Sequence, residues 1–243
     1  MWPVCKKEFR QFFSSLTGII AIAVFLLLNG LFLFVFPDTN ILDFGYATLD
    51  KFFELAPWIL TFLVPAITMR SLADEFKTGT YEILQTKPLG YAQVVTGKYF
   101  GSLLIVALAL LPTLLYAFSM QSLSAGAAGI DIGGTIGSYT GLFFLAAVFT
   151  SIGICCSSFT SNAVVAFIVS AFACFILYTG FNGVSRIASL ASGAGYYIEM
   201  LGIDFHYRSI SRGVIDSRDI IYFISVIAFF LLFTQRNLIK RKP

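Results

Sequence analysis

The stretch Gly90–Tyr99, GYAQVVTGKY, is the part of the sequence that comes nearest to a phosphate-binding loop. Such a loop reads G-x-x-x-x-G-K-[ST], because its backbone N–H groups cradle the phosphates and its last hydroxyl binds Mg²⁺. Here six residues separate the two glycines, and Tyr99 stands where Ser or Thr is required. Gly193 and Gly195 likewise lack the third glycine of a dinucleotide-binding loop. The sequence therefore predicts no ATP and no other cofactor bound to this chain.

The single histidine, His206, is the residue that could suggest hydrolytic or metal chemistry. It lies two residues from Asp204, but the sequence contains neither H-E-x-x-H nor G-x-S-x-G. No nucleophile is paired with a base in a recognisable motif. We therefore expect a histidine that is exposed or packed in a loop, no catalytic residue and no metal site.

The composition is typical of a membrane-embedded protein. Of its 243 residues, 58% are hydrophobic and only 12% are charged, whereas about a quarter of the residues of a soluble domain are charged. The four cysteines are interpreted as small apolar fillers rather than a disulfide framework. They are Cys5, Cys155, Cys156 and Cys174.

Six apolar runs are long enough to cross a membrane, which takes about 20 helical residues. Pro65 and Pro112 lie inside two of them and predict local kinks. The first run is too long for the apolar core of a signal peptide, and no cleavage pattern follows it. The sequence thus predicts an all-α polytopic membrane protein, with one transmembrane domain over residues 1–243. The runs are Thr17–Phe36, Ala56–Met69 (starting near Phe52), Tyr99–Phe118, Tyr139–Phe159, Val164–Phe181 and Ile220–Phe233.

The basic residues are distributed unequally between the two sides of the membrane. Eleven of the 16 lie before the first run, between the second and third, or after the sixth, and nine of the 13 acidic residues lie on the opposite side. Because cytoplasmic loops carry an excess of Lys and Arg, both termini and residues 74–98 are expected in the cytoplasm. The net charge of +3 then reflects topology and indicates no nucleic-acid partner.

The apolar runs contain almost no ionisable residue, and Asn29 is the strongly polar group nearest the middle of one. Proton-coupled and ion-coupled transporters usually keep an ionisable group there, because coupling needs a group that changes charge. The paired broken segments of inverted repeats are also missing. These patterns count against a secondary transporter, so any energy for transport is expected from another source.

Residues 1–16 are predicted to form an amphipathic helix at the membrane interface. Three aromatic residues, seven and four positions apart, lie roughly on one helical face, and three cations lie mostly elsewhere. Such a helix suits the lipids of an anionic cytoplasmic leaflet. The alternative is that the three cations are only a topology signal. The residues concerned are Trp2, Lys6, Lys7, Phe9, Arg10 and Phe13.

The polar segment 74–90 separates the second and third runs. Thr78–Gly79 is expected to end the extension of the second helix, and Thr80 to cap a short new helix, Tyr81–Thr86. Pro88 ends that helix, because a residue before proline avoids the α region. A helix of under two turns is marginal alone in water, so something should hold it.

The short helix carries a small apolar patch, Tyr81 and Leu84, flanked by charges. A solvated loop would explain the charges, but it would not explain a capped helix that bears an aromatic side chain. A docking element for a cytoplasmic partner explains both features.

Four glycines recur at four-residue spacing before the fourth run. On a helix, this small face would let another helix approach closely. Alternatively, the segment is a flexible outer loop, since glycine is also common in turns. The sequence leaves both interpretations open for Gly129, Gly133, Gly137 and Gly141.

Two stretches resemble one known family. EFKTGTYEILQTKP, from Glu75 to Pro88, is similar to the cytoplasmic E-x-x-x-G-T-x-E-x-L-x-T-x-P pattern of ABC-2-type permeases. FHYRSISRGVIDSRDIIYF, from Phe205 to Phe223, is similar to a stretch that precedes the last helix of that family. With the N-terminal segment and the six runs, the resemblance covers the whole chain. Within the family, the chain resembles the gliding-motility-associated GldF branch of Bacteroidetes.

The resemblance implies a permease subunit of an ATP-driven exporter in a bacterial inner membrane. In that family, ATP and Mg²⁺ are held by a separate ABC ATPase subunit, and a second permease chain, identical or related, completes the assembly. The loop after the second helix acts as a coupling helix in a cleft of the ATPase, beside the interfacial helix. The alternative is a non-transporting anchor that recruits an ATPase to a motility or secretion assembly.

The resemblance also implies site residues. Tyr81 and Leu84 are expected to seat in the ATPase, and Glu75 and Glu82 to pair with basic residues around its cleft. Residues 182–218 would form the family's outer re-entrant segment. The full set of expected ATPase contacts is Glu75, Lys77, Thr78, Gly79, Thr80, Tyr81, Glu82, Leu84 and Pro88. The residues singled out before the sixth run are Arg212, Gly213, Asp216 and Asp219.

Overall fold

The computed structural model describes residues 1–37, 39–41, 48–85, 90–124, 130–188, 194–214 and 216–241, and at 83–85, 187–188 and 194 it describes the backbone alone. Within these ranges every regular element is helical. The prediction of an all-α fold is confirmed.

Six helical segments of the described chain are long and apolar enough to cross a membrane, and they coincide with the six predicted runs. Most are longer than predicted, because polar residues continue each helix beyond its apolar stretch. The spans are Leu16–Phe34, Asp50–Thr78, Tyr91–Leu123, Ile132–Ser157, Ala163–Arg186 and Ser217–Lys240.

The helices are numbered here in chain order. Helix α1 (Trp2–Phe13) precedes the first span, α2 (Leu16–Phe34). The second span consists of α3 (Asp50–Thr68) and α4 (Arg70–Thr78), and the short helix α5 (Thr80–Gln85) follows it. The remaining helices are α6 (Tyr91–Leu110), α7 (Leu114–Leu123), α8 (Ile132–Ser157), α9 (Ala163–Phe175), α10 (Phe181–Ala188), α11 (Ala194–Met200), α12 (Ile203–Ser211) and α13 (Ser217–Lys240).

Two spans change helix type along their length. The third passes through a 3₁₀ turn, Leu111–Thr113, between α6 and α7, because Pro112 has no N–H to continue the α-helical pattern. The fifth passes through a π-helical turn, Ile176–Gly180, between α9 and α10. By contrast, α3 continues through Pro65 and ends three residues later, at Thr68.

Helix α8 is the centre of the bundle. It packs against α3, α6, α9, α12 and α13, and nearly all its side chains from Leu145 onward are buried. Large side chains such as Phe149 and Ile152 fill the core around it. Interspersed glycine, alanine and serine residues let the neighbouring helices approach its backbone closely.

The glycine repeat packs against α12 and the turn that follows it. A Cβ atom at Gly137 would lie 2.7 Å from the Cα of Gly213 and 3.2 Å from the carbonyl oxygen of Ile210. A Cβ at Gly141 would lie 3.2 Å from the Ile210 side chain. The interpretation as a packing face is confirmed for these two glycines. Gly133 meets no second helix, and Gly129 lies outside the described residues.

The bundle has two distinct ends. The end that holds both chain termini, here the terminal end, carries α1, α4, α5 and the C-terminus of α13, whose Asn237 donates to the carbonyl oxygen of Ser158 after α8. The opposite end, here the far end, carries α10, α11, α12 and the N-terminus of α13. The four cysteines are buried and free, in keeping with their interpretation as apolar fillers.

Candidate functional site

A buried lysine joins three helices at the terminal end. Lys98 is 0% exposed. Its ammonium donates to Glu8 Oε1 at 2.6 Å and to the carbonyl oxygen of Ser71 at 2.5 Å, and it lies 3.0 Å from Glu75 Oε1. Lys7 Nζ binds the same Glu75 oxygen at 2.7 Å. Because a buried ammonium persists only when it is paired and hydrogen-bonded, this network holds α1, α4 and α6 in one arrangement.

Glu75 therefore differs from its predicted role. It was expected to pair with basic residues of an ATPase, but it is buried and pairs with Lys7 and Lys98 of its own chain. The physical reason is that α4 prolongs the second span, so that Glu75 lies within reach of Lys7 in α1 and Lys98 in α6. Sequence reasoning missed the pairing because it counted Lys98 only among the basic residues of the cytoplasmic segment 74–98.

Two glycines of α6 let α1 approach closely enough to form these ion pairs. A Cβ atom at Gly97 would lie 2.9 Å from Val4 Cβ and 3.0 Å from the carbonyl oxygen of Met1. At Gly101 it would lie 2.9 Å from Glu8 Cβ. Small residues four positions apart are typical of close helix pairs. Sequence reasoning considered Gly97 only as part of a failed phosphate loop and did not consider its spacing to Gly101.

A sharp turn at Gly79 connects α4 to α5. Gly79 has a φ of +70°, a left-handed conformation that favours glycine, and it ends α4. Helix α5 begins at Thr80, so Thr80 is its first residue and not the cap that was predicted. The hydroxyls of Thr78 and Thr80 are hydrogen-bonded at 3.0 Å across the turn. The predicted helix end at Thr86 and the following Pro88 lie outside the described residues.

The aromatic side chain of α5 faces the bundle. Tyr81 is 7% exposed, and its ring centroid lies 5.0 Å from that of Phe76, edge to face. The guanidinium of Arg241, after α13, lies 4.1 Å from the Phe76 centroid, within cation–π range. The structure thus places Tyr81 inward rather than on the expected docking surface, because the turn at Gly79 folds α5 back onto α4. The Leu84 side chain lies outside the described set.

The exposed part of this region is a polar tip, defined as residues 77–80 and Glu82. Those predicted contact residues whose side chains the structure describes therefore divide into an exposed tip and two inward-facing residues, Glu75 and Tyr81. The tip is also continuous with the second span, since Met69 between α3 and α4 keeps helical φ and ψ. The exposed residues are Lys77, Thr78, Gly79, Thr80 and Glu82.

Most of the chain matches one protein family. Residues 2–211 match the family described as ABC-2 family transporter protein, and this range includes α1, the tip and the first five spans. The chain belongs to this family. Its members are membrane components that typically work with an ABC ATPase. No curated protein matches the chain.

In this ABC-2 transporter protein, α1 has two different faces. Phe9 is half-buried, with its ring 4.8 Å from that of Phe13, and Val4 and Cys5 are buried. Burial, together with the negative charge of Glu8, raises the pKa of the Cys5 thiol. The other face points away from the protein, and Trp2 is 73% exposed. The exposed residues of the predicted set are Trp2, Lys6, Lys7, Arg10 and Phe13.

At the far end of the ABC-2 protein, segment 182–218 holds the short helices α10, α11 and α12. Asp216 caps α13 by accepting a hydrogen bond from the backbone N–H of Arg218 at 2.9 Å. Gly213 has a φ of +83° and lies against the glycine face of α8. Arg212 is exposed and borders a cavity. Asp216 and Gly213 thus have structural roles in the backbone. Of these three residues, only Arg212 is placed to contact a ligand.

Asp219 and His206 form a buried pair between α13 and α12. His206 Nδ1 lies 2.6 Å from Asp219 Oδ1, and its Nε2 lies 2.9 Å from the carbonyl oxygen of Met200. The ring also stacks on Tyr222 at 3.9 Å. His206 is therefore packed, as one of the two expectations had it, but it lies in helix α12 rather than in a loop. Sequence reasoning considered Asp204 as its neighbour and missed Asp219, which lies 13 residues away.

Proposed function

We propose that this chain is the permease subunit of an ATP-driven ABC exporter and that its polar tip docks on a separate ABC ATPase. The observation that carries the proposal is the tip, an exposed polar turn. Its neighbours Glu75 and Tyr81 are buried against the bundle and hold it in place. ATP and Mg²⁺ are assigned to the ATPase subunit, since this sequence has no phosphate-binding loop. The positive-inside bias supports a cytoplasmic location for the tip and both termini in a bacterial inner membrane.

Two connections would transmit the movement of a docked ATPase to the membrane-spanning helices. Helix α4 continues α3, so displacement of the tip shifts the second span directly. The Lys98 network ties α4 to α1 and to α6 of the third span. Removing one partner from such a network would leave buried charge uncompensated, so the three helices move together. Closure of the ATPases is thereby converted into tilting of the spans.

The proposed assembly also contains a second permease chain, identical or related. Membrane lipid covers the apolar and cationic face of α1, with Trp2 at the level of the head groups. The resemblance to the gliding-motility-associated branch supports a role in motility or secretion. The proposed cargo path lies between the two permease chains.

The docking role is tested by reversing the charges of the tip. Lys77→Glu combined with Glu82→Lys should weaken retention of the ATPase by roughly 10-fold, a difference of about 1.4 kcal/mol. Exposed interface charges act mainly on association rate and salt dependence, so wild-type binding should also fall as salt rises. The measurement is a detergent pull-down of the ATPase that co-purifies with the wild-type chain, at matched permease levels.

The matched control is Arg218→Glu, a charge reversal at an exposed position of the far end, which should retain the ATPase as wild type does. Wild-type retention by the double tip variant would contradict the docking role. ATP hydrolysis by the purified chain, free of any ATPase subunit, would contradict the assignment of ATP to a partner. Intact docking and ATP turnover without cargo movement in reconstituted vesicles would support the anchor alternative.

A further inference from the structure

A cavity of about 920 Å³ lies at the far end of the bundle, away from the tip. Its described lining comes from α3, α10, α12 and the π-helical turn before α10. The volume falls in the range of roughly 300–1,000 Å³ that is usual for small-molecule sites. Docking of an ATPase on the tip makes no use of this cavity.

One wall of the cavity is aromatic. Trp58 of α3 is 43% exposed, and the Tyr178 ring stands edge-on to it at 5.9 Å. Tyr178 belongs to the π-helical turn, a local irregularity that is frequent at functional sites. Tyr207 donates its hydroxyl to the carbonyl oxygen of Phe53 at 2.7 Å, which fixes this wall. The cavity is therefore bordered by a partly exposed indole, beside tyrosine rings of which Tyr207 is held in place by its hydrogen bond.

A connected polar network from α10 and α12 also lines the cavity, next to these rings. Asp204 accepts from Arg208 through Nε at 3.0 Å and Nη2 at 2.7 Å, and from Asn182 Nδ2 at 3.0 Å. Arg186 Nε donates to Asn182 Oδ1 at 3.1 Å. The Arg208 side chain is 55% exposed, so further N–H groups remain accessible. This wall presents donors and acceptors in fixed positions.

The balance of charge on the lining indicates the class of ligand. The described lining holds three arginines and three carboxylates, so it favours neither a strongly anionic nor a strongly cationic molecule. A hydroxyl group both donates and accepts hydrogen bonds, and a wall of guanidinium, amide and carboxylate groups satisfies many hydroxyls at once. The charged groups are Asp50, Glu54, Asp204, Arg186, Arg208 and Arg212.

We propose that this cavity binds a neutral saccharide, with the apolar C–H face of a sugar ring on Trp58 and its hydroxyls on the Asp204 network. The same chemistry is offered by a free sugar chain and by the sugar head of a glycolipid. This inference goes beyond the proposed function, because binding here requires neither an ATPase nor transport.

Trp58 itself provides the readout. The chain has two tryptophans, and Trp2→Phe at the terminal end leaves Trp58 as the single one. The full chain in lauryldimethylamine oxide, a sugar-free detergent, is titrated with maltotriose, cellotriose, chitotriose and dodecyl maltoside. At least one should change the Trp58 emission saturably. Stronger binding of dodecyl maltoside than of any trisaccharide identifies a glycolipid head, and the reverse order identifies a free sugar chain.

Two variants and one control connect the signal to the cavity. A Cβ atom at Gly183 would meet nothing within 4 Å, so Gly183→Phe can place its ring in the cavity and should raise the half-saturating concentration about 10-fold or more. Asp204→Asn should weaken binding through loss of the Arg208 pair. Arg218→Gln, exposed and outside the lining, should bind as the parent does.

Thermal unfolding and gel filtration check that each variant is folded, and Gly183→Phe decides the outcome if Asp204→Asn is unstable. The proposal is overturned if none of the four sugars gives a saturable signal. It is also overturned if decyl phosphate, an amphiphile without a sugar, binds more tightly than all of them. Either result leaves the docking role of the tip unaffected, because no ATPase is present in the experiment.

Discussion

At the scale of single residues, the burial of Lys98 makes the protein sensitive to the loss of any one of its ion-pair partners. Three oxygen atoms from two other helices surround its ammonium. A complete buried network of this kind adds little net stability, since desolvation offsets the attraction between its charges. Loss of one member is costly, because the others remain buried without compensation.

Lys98→Met is therefore expected to lower the free energy of unfolding by about 3 kcal/mol. Lys51→Met is the matched control, because Lys51 forms a pair with Glu54 that is exposed on both sides and should contribute less than about 1 kcal/mol. Denaturant unfolding of both variants in the same detergent measures the difference. Adding Glu8→Gln and Glu75→Gln to Lys98→Met should recover much of the loss, and a failure to do so would show that the cost is not electrostatic.

At the scale of helices, close approach at glycine decides which elements pack together. The face of α8 with Gly137 and Gly141 meets α12, and the face of α6 with Gly97 and Gly101 meets α1. In both contacts a backbone carbonyl oxygen lies where a larger side chain would stand. Backbone atoms cannot move aside as the end of a flexible side chain can, so a larger residue at Gly137 or Gly97 would strain the contact.

Gly137→Ala should destabilise the protein by roughly 1–3 kcal/mol, the usual cost of overpacking. Gly30→Ala in α2 is the matched control, since a Cβ there meets nothing within 4 Å and a helical alanine should be neutral or stabilising by up to about 1 kcal/mol. Thermal unfolding at equal detergent concentration compares the two. Equal melting temperatures would contradict the close approach of α8 to the turn at Gly213.

The spans were predictable from sequence, because the length of each apolar run is enough to identify a membrane-spanning helix. Helix α5 was predictable because Gly79 marks the turn before it. The direction of Tyr81 was not, since it depends on how the turn at Gly79 folds α5 against Phe76. The partners of Glu75 were not predictable either, because they come from helices 68 and 23 residues away along the chain. The same holds for the far-end cavity, whose walls come from separate elements.

At the scale of the whole molecule, the spans range from one central, mostly buried helix to peripheral helices that are mostly exposed. In the most apolar part of each span, 78% of the residues of Ile132–Ser157 are buried, against 17% for Ser217–Lys240. The exposed apolar faces of the peripheral spans need lipid or a second chain to cover them. These faces indicate a membrane-embedded protein, with the tip and the far-end cavity at opposite ends of the bundle.

Single-cysteine labelling tests that topology. In a chain whose four buried cysteines are replaced by alanine, Arg218→Cys should react with an impermeant maleimide in intact cells whose outer membrane has been opened. Thr78→Cys should react only after the inner membrane is also opened, because basic loops stay in the cytoplasm. The reverse pattern would place the tip outside and remove its access to a cytoplasmic ATPase.

The buried network also implies an order of events during biosynthesis. Glu8 and Lys98 are 90 residues apart in sequence, which at translation rates of 5–20 residues per second corresponds to a delay of roughly 5–20 s. Until the third span is inserted, α1 has no α6 to pack against, and its exposed aromatic and cationic residues can hold it on the membrane surface. Complete docking of the first helix is therefore a late step, and nascent chains released before residue 98 would lack the face of α6 against which α1 packs.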